Sequence, residues 1–138
     1  MATILYLDDE PTIRRAVQLW LQRHGITVQQ AGSVHDAKLL VDEQHFDGAF
    51  VDVWLEDGSG LDFYHWLCEH HPRLAQRVVF VTGDVGASPT LEGRLRATGR
   101  PFIGKPFDLD EVKELAARCA RGETETRASG EIEARGPG

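Results

Sequence analysis

The chain predicts an open, doubly wound parallel α/β sheet of five strands and five helices. Three observations predict it. Four short apolar runs each end in a chemically active residue: Ile4 to Leu7 runs into Asp8 and Asp9, Ala49 to Val51 into Asp52, Val78 to Val81 into Thr82, and Phe102 to Gly104 into Lys105 and Pro106. Short apolar runs bounded by polar or turn residues read as buried strands. Strand-like and helix-like segments alternate five times along the sequence, the order of a parallel sheet with right-handed crossovers. Ligands of such sheets bind outside the carboxyl ends of the strands, so three carboxylates, a hydroxyl and an ammonium are expected along one edge.

Each element has its own local warrant. The first strand is Ile4 to Leu7. The first helix runs from Pro11, well placed in a first turn, to about His24, with Ile13, Ala16, Val17, Trp20 and Leu21 on one face. Gly25 ends it. Ile26 to Gln30 alternates as an edge strand does. Ser33 with Asp36 resembles a capping box and opens a second helix to about His45. The third strand is Gly48 to Val53, followed by the turn cluster Glu56-Asp57-Gly58-Ser59-Gly60. The third helix spans about Leu61 to His71, where Pro72 stops it. Val78 to Thr82 is the fourth strand, Gly83 to Pro89 a loop, and Thr90 to Thr98 a short helix closed by Gly99. Phe102 and Ile103 form the fifth strand. A second capping box, Asp108 with Glu111, opens a helix carrying Leu109, Val112, Ala116 and Cys119 on one stripe.

The pattern fails after about Ala120. Residues 1–120 are therefore expected to form one domain, and residues 121–138, with Ile132 their only large apolar side chain, a disordered tail. The flavodoxin-like strand order 2-1-3-4-5 sets the first and third strands side by side at the topological switch point. Asp8, Asp9 and Asp52 then share one crevice, with Thr82 and Lys105 on its far side.

Bulk properties exclude several classes. The formal charge of -7 argues against direct nucleic-acid binding, which needs clustered Lys and Arg. Arg94, Arg96 and Arg100, the densest basic group, read as a solvated helix face. No apolar run approaches the ~20 residues of a membrane span, and no basic leader precedes the first strand. A cytoplasmic protein with Cys68 and Cys119 reduced is expected. His65, Glu69, His70 and His71 read as a solvated helix end rather than a metal site. The stretch from Gly83 to Ser88 lacks the Gly-Lys-Ser/Thr ending of a nucleotide-binding loop.

The chemistry of the crevice is more specific. Two carboxylates at ~4 Å and an effective dielectric of ~20 repel by about 4 kcal/mol, so three coexist ionised only around cations. Lys105 offsets part of this. An all-oxygen donor set favours Mg²⁺, with Mn²⁺ or Ca²⁺ as substitutes, over zinc. Metal, ammonium and hydroxyl together are equipment for phosphoryl transfer, and a central carboxylate, Asp52, can act as the nucleophile.

The segments Leu7-Asp8-Asp9-Glu10-Pro11, Phe50-Val51-Asp52-Val53, Thr82-Gly83-Asp84 and Lys105-Pro106-Phe107, with Gly60 eight residues after Asp52, resemble the signature of response-regulator receiver domains from two-component phosphorelays. The resemblance covers about Thr3 to Ala120. It implies that Asp52 accepts a phosphoryl group from the phosphohistidine of a histidine kinase or histidine phosphotransfer protein. It implies that Asp9 binds Mg²⁺ directly, that Asp8 assists, and that the Trp54 backbone carbonyl completes the protein ligands. Thr82 and Lys105 would contact phosphoryl oxygens, Lys105-Pro106 would be a cis peptide, and Phe102 would be the aromatic switch partner of Thr82. A stand-alone signalling switch is expected, not an enzyme acting on external substrates. Its downstream protein target would bind the face of the fourth helix, fifth strand and fifth helix, where Leu91, Leu95 and Phe102 could form a partner surface or equally pack inward. A second copy of the chain is a further candidate partner.

Four positions depart from the pattern. Glu56 stands where proline is common, which would loosen the loop after the third strand. Phe102 lacks the hydroxyl of the frequent tyrosine. Trp54 and Asp84 flank the path of an attacking water and are expected to tune the lifetime of the acyl phosphate. Two rival readings are weaker. A haloacid-dehalogenase-like phosphatase needs a second Asp two residues after its nucleophile, where this chain has Trp54. A binding module that is never phosphorylated would not need Asp52, Thr82 and Lys105 together.

Overall fold

The computed structural model describes residues 2–83, 89–105 and 107–122. Its elements, in chain order, are β1 (Thr3–Leu7), α1 (Pro11–Gln22), β2 (Thr27–Ala31), α2 (Val34–Glu43), β3 (Gly48–Asp52), β4 (Trp54–Leu55), β5 (Gly58–Ser59), α3 (Gly60–His70), α4 (Pro72–Ala75), β6 (Val78–Thr82), α5 (Pro89–Ala97), β7 (Phe102–Gly104) and α6 (Leu109–Ala120). The main sheet has five parallel strands in the order β2-β1-β3-β6-β7. With the small β4-β5 hairpin set aside, this is the expected order 2-1-3-4-5.

Alternation along the strands divides the core in two. Leu5, Leu7, Ala49, Val51, Val78 and Phe80 face a cluster containing Val41, Leu61, Leu67 and Leu95, from α2, α3 and α5. Ile4, Tyr6, Phe50, Val79, Val81 and Ile103 face Val17, Leu21, Val112, Ala116 and Cys119, from α1 and α6. Both faces of the central strands are covered, as parallel sheets require. Gly48 is what lets α6 lie close on β3, because a Cβ there would stand 2.7 Å from the Cys119 Cβ.

The structure corrects the reading of the sequence in four places. The turn after Asp52 lies within a two-stranded antiparallel hairpin, Trp54 pairing with Ser59 and Leu55 with Gly58. Pro72 does stop α3, but it also starts the one-turn helix α4, so six helical segments are found among the described residues. Arg100 is not on a solvated face; it is 3% exposed, and its Nε donates to the Val78 carbonyl at 3.1 Å. Leu91 and Leu95 are buried in the core, so of the three apolar residues proposed for a partner face only Phe102 keeps partial exposure.

The expected looseness after β3 is opposed by Asp57. Its two carboxylate oxygens accept from the Val34 and His35 amides at 2.9 and 3.1 Å, tying the hairpin turn to the first turn of α2. The Val34 amide, with the His35 amide in support, holds this carboxyl below its ordinary range against a small opposing effect of burial. A carboxylate at a helix N-terminus also meets the positive end of the helix dipole. Cys68 is exposed and Cys119 buried, and neither is in a disulfide. No helix among the described residues is long and apolar enough to cross a membrane.

Candidate functional site

Each catalytic candidate sits where a strand of the main sheet stops, and ladder hydrogen bonds carry the order slightly past those ends. The Asp8 amide donates to the Ala31 carbonyl at 3.1 Å, the Val53 amide to Val81 at 3.0 Å, and the Lys105 amide to Thr82 at 2.9 Å. Gly60 closes the hairpin by donating to the Val53 carbonyl at 2.9 Å. A Cβ at Gly60 would collide with the carbonyl oxygen of Asp52, so only glycine permits this return of the chain over the end of β3.

At the centre is the Lys105 ammonium. Its Nζ lies 2.8 Å from Glu10 Oε1, 2.9 Å from Asp52 Oδ2 and 3.0 Å from Asp8 Oδ2. This pairing joins chain positions 95 apart for Glu10 and 53 apart for Asp52. Asp8 is fully buried and Asp52 is 6% exposed. Asp8 is held by the Glu10 amide, which donates to Oδ1 at 2.9 Å, and by the Tyr6 hydroxyl, 3.5 Å from Oδ2. Asp52 Oδ1 accepts from the Trp54 amide at 3.3 Å.

Electrostatics follow from this crowding. Burial pushes the Asp52 carboxyl up to about 6; Lys105 and the Trp54 amide pull it down, and the Asp8 charge pushes it further up. For Lys105 burial disfavours the ammonium, but hydrogen bonds to Glu10, Asp52 and Asp8 outweigh it and raise its pKa above the ordinary lysine value. Burial, then the charges of Asp8 and Asp52, raise the Tyr6 hydroxyl well beyond its usual range, so it stays protonated and able to donate.

Three carboxylates around one ammonium leave two formal negative charges inside a largely buried group. Carboxylate oxygens of Asp8, Glu10 and Asp52 lie within 4.8 Å of one another, close enough to hold one metal ion. Hard oxygen donors with excess negative charge suit a divalent cation of the Mg²⁺ type. The donor set therefore fits the metal that the sequence implies.

Of the residues expected at the site, the structure brings together Asp8, Asp52 and Lys105. Thr82 is buried at the end of β6, its carbonyl accepting from Lys105. Asp9 is partly exposed and lies outside the converging group. The Trp54 side chain is 52% exposed in β4. Phe102 packs partly into the core, with the Arg96 guanidinium 5.5 Å from its ring centre. Asp84, Pro106 with the expected cis peptide, and positions 123–138 of the expected tail lie outside the described residues.

Two contributors were not anticipated. Glu10 stood inside the acidic signature segment, but no role was expected of it. Arg14, one turn into α1, donates from Nη1 to the Asp8 carbonyl at 2.7 Å and from Nε to Gln30 Oε1 at 3.2 Å, pinning the acidic turn to β2. Its partners lie 6 and 16 positions away, and no spacing in the sequence signals them.

Comparison with known proteins points to one family. The family model described as the response regulator receiver domain matches residues 4–117. The response regulator protein PilR of Pseudomonas aeruginosa is 34% identical over 117 residues, covering 85% of this chain and 26% of PilR. A CheY-like response regulator receiver domain protein from Methanospirillum hungatei superposes with a TM-score of 0.77 at 22% identity, covering 89% of this chain and 97% of that one. The response regulator TrrA of Thermotoga maritima, solved in complex with Mg²⁺ and BeF, superposes with a TM-score of 0.73 at 23% identity over 86% of this chain and 99% of that one. The chain spans 26% to 62% of the length of the first curated relatives it matches. A five-stranded sheet in this order, with acidic groups and a lysine at its carboxyl edge and a family match over nearly all of the ordered elements, makes this chain a member of the response regulator receiver domain family of two-component systems.

Proposed function

We propose that the chain is the phosphoacceptor switch of a two-component phosphorelay, with Asp52 as the acceptor and a histidine kinase or histidine phosphotransfer protein as the donor. The observation that carries this reading is the Lys105 ammonium 2.9 Å from Asp52 Oδ2, beside a second buried carboxylate. An Asp52 oxygen forms a bond to phosphorus as the P–N bond of the donor breaks. The electron pair returns to the ring nitrogen, and a donor ring protonated on its other nitrogen leaves as neutral imidazole. Lys105 would bind a phosphoryl oxygen and the Thr82 hydroxyl another. Asp8 and Asp52 would hold Mg²⁺ or a similar cation, with Asp9 and the Trp54 carbonyl as the remaining ligands that the family resemblance implies. The metal would supply charge neutralisation of the phosphoryl oxygens.

Trp54, exposed beside the acceptor, is well placed to shield the acyl phosphate from water. The output would pass through Phe102 on the α5-β7-α6 face to a downstream protein, and Arg96 over the Phe102 ring gives that face a cationic contact. Activity is confined to the chain's own phosphorylation and dephosphorylation, in the cytoplasm.

Beryllofluoride, a mimic of an aspartyl-bound phosphoryl group, tests the assignment. Titrated with Mg²⁺ it is expected to bind the wild type and to show no binding to Asp52→Ala; binding that survives in the variant refutes Asp52 as acceptor. Mg²⁺ alone is expected to stabilise the fold by about 2.7 kcal/mol at ~100 times its dissociation constant. Urea titrations with and without Mg²⁺ measure this, and coincident curves would contradict the metal site.

A further inference from the structure

Lys105 has no donor to spare. An ammonium carries three N–H groups, and all three point to carboxylates, with Glu10 at 2.8 Å, Asp52 at 2.9 Å and Asp8 at 3.0 Å. A phosphoryl group arriving on Asp52 needs one of those donors, so one carboxylate must let go. Asp8 is fully buried, so even with a metal beside it water could not replace the lost lysine contact. Asp52 bears the incoming group. The Glu10 side chain is 56% exposed, so water satisfies it as soon as it leaves.

The local backbone makes that departure a side-chain event only. Glu10 is the N-cap of α1, in extended conformation with φ -97° and ψ 103°. Its amide is bound to Asp8 Oδ1, and its carbonyl accepts from the Arg14 amide at 3.1 Å. Pro11 follows with its φ fixed by the ring. Everything at position 10 except the carboxylate arm is anchored.

We propose that Glu10 is a built-in competitor for the phosphoryl group: its carboxylate holds the place on Lys105 that a phosphoryl oxygen must take, and its release is part of phosphorylation. Glu10 is thus a rate- and affinity-setting residue for the reaction at Asp52. The inference rests on the phosphoacceptor reading of Asp52.

The test compares beryllofluoride affinity at saturating Mg²⁺, followed by fluorine NMR, for wild type, Glu10→Gln and Glu10→Asp. Glutamine removes the charge at constant shape. Aspartate keeps the charge but, one methylene shorter, falls short of Lys105. Competition predicts that both variants bind more tightly, by about two- to fivefold, the range expected for losing a partly exposed ion pair. Tightening in Glu10→Gln with wild-type affinity in Glu10→Asp would assign the effect to general repulsion and overturn the proposal. Unchanged or weaker binding in Glu10→Gln would also overturn it. A Mg²⁺ titration without beryllofluoride, run on each variant, separates metal affinity from the fluoride effect. If the wild type itself binds no beryllofluoride, the phosphoacceptor reading fails, and this inference with it.

Discussion

Asp52→Asn is expected to make the metal-free protein more stable than the wild type at pH 7.5, by up to about 3 kcal/mol, while abolishing phosphoryl acceptance. The free energy corresponds to the separation between the ordinary aspartate value of 3.8 and the folded value of about 6. The sign follows from linkage. Below about pH 3.8 the carboxyl is protonated in both folded and unfolded chains, and the charge costs nothing. Between 3.8 and about 6 the unfolded chain ionises while the folded chain keeps its proton, so the folded state loses ground as pH rises. Above about 6 the full penalty applies. Asparagine carries no such penalty, so its advantage should be absent near pH 4, grow to about pH 6 and then level off. Urea denaturation in EDTA across that range measures it. A wild type as stable as the variant at pH 7.5 would show that Lys105 fully compensates the buried charge. Added Mg²⁺ should shrink the gap by stabilising only the wild type. That ordering would mean that the site is assembled against its own electrostatics.

Gly60→Ala is expected to cost about 3 kcal/mol or more, at the upper end of the range for overpacking a close contact. Its φ is not what demands glycine. The added Cβ would strike the Asp52 carbonyl oxygen and stand 2.8 Å from Val51 Cγ1 and 2.9 Å from the Asp52 carbonyl carbon. Those atoms belong to β3, flanked on both sides by paired strands, so they cannot give way cheaply. The strain falls on the residue that bears the acceptor, and whatever fraction stays folded should also lose beryllofluoride affinity. Gly93→Ala is the control. A Cβ there meets nothing within 4 Å in α5, and helix propensity favours alanine by about 1 kcal/mol. Chemical denaturation of both variants should therefore show opposite shifts. A Gly60→Ala protein as stable as the wild type would mean that the hairpin can move off β3.

Most of the fold was legible because its strands are uniformly buried and its helices punctuated. β6 falls on Val78–Thr82, as the apolar run predicts, and the Pro11 and Gly25 signals bracket α1, which ends at Gln22. The β4-β5 hairpin was not legible, since two-residue strands carry no periodicity. Arg100 was misread because local spacing put it with Arg94 and Arg96, whereas its partner, the Val78 carbonyl, lies 22 positions away. The same distance problem hid Glu10. The motif placed Asp8, Asp52 and Lys105 in one crevice through topology alone, but which neighbouring carboxylate completes the lysine's shell depends on side-chain reach across 95 positions. Leu91 and Leu95 looked equally able to face a partner or the core, and only packing against Phe80 and its neighbours decided it.

The ladder bonds from the Asp8, Val53 and Lys105 amides have a consequence for how the switch keeps time. Each of these amides is locked to the strand beside it, so its exchange with solvent deuterium requires two strands of the sheet to part rather than flutter of a loop. Their protection should approach that of Leu5 and Phe80, orders of magnitude slower than for the exposed amides around Glu56. The reactive edge would then share the slow clock of the sheet, leaving fast motion to side chains such as Glu10 and Trp54.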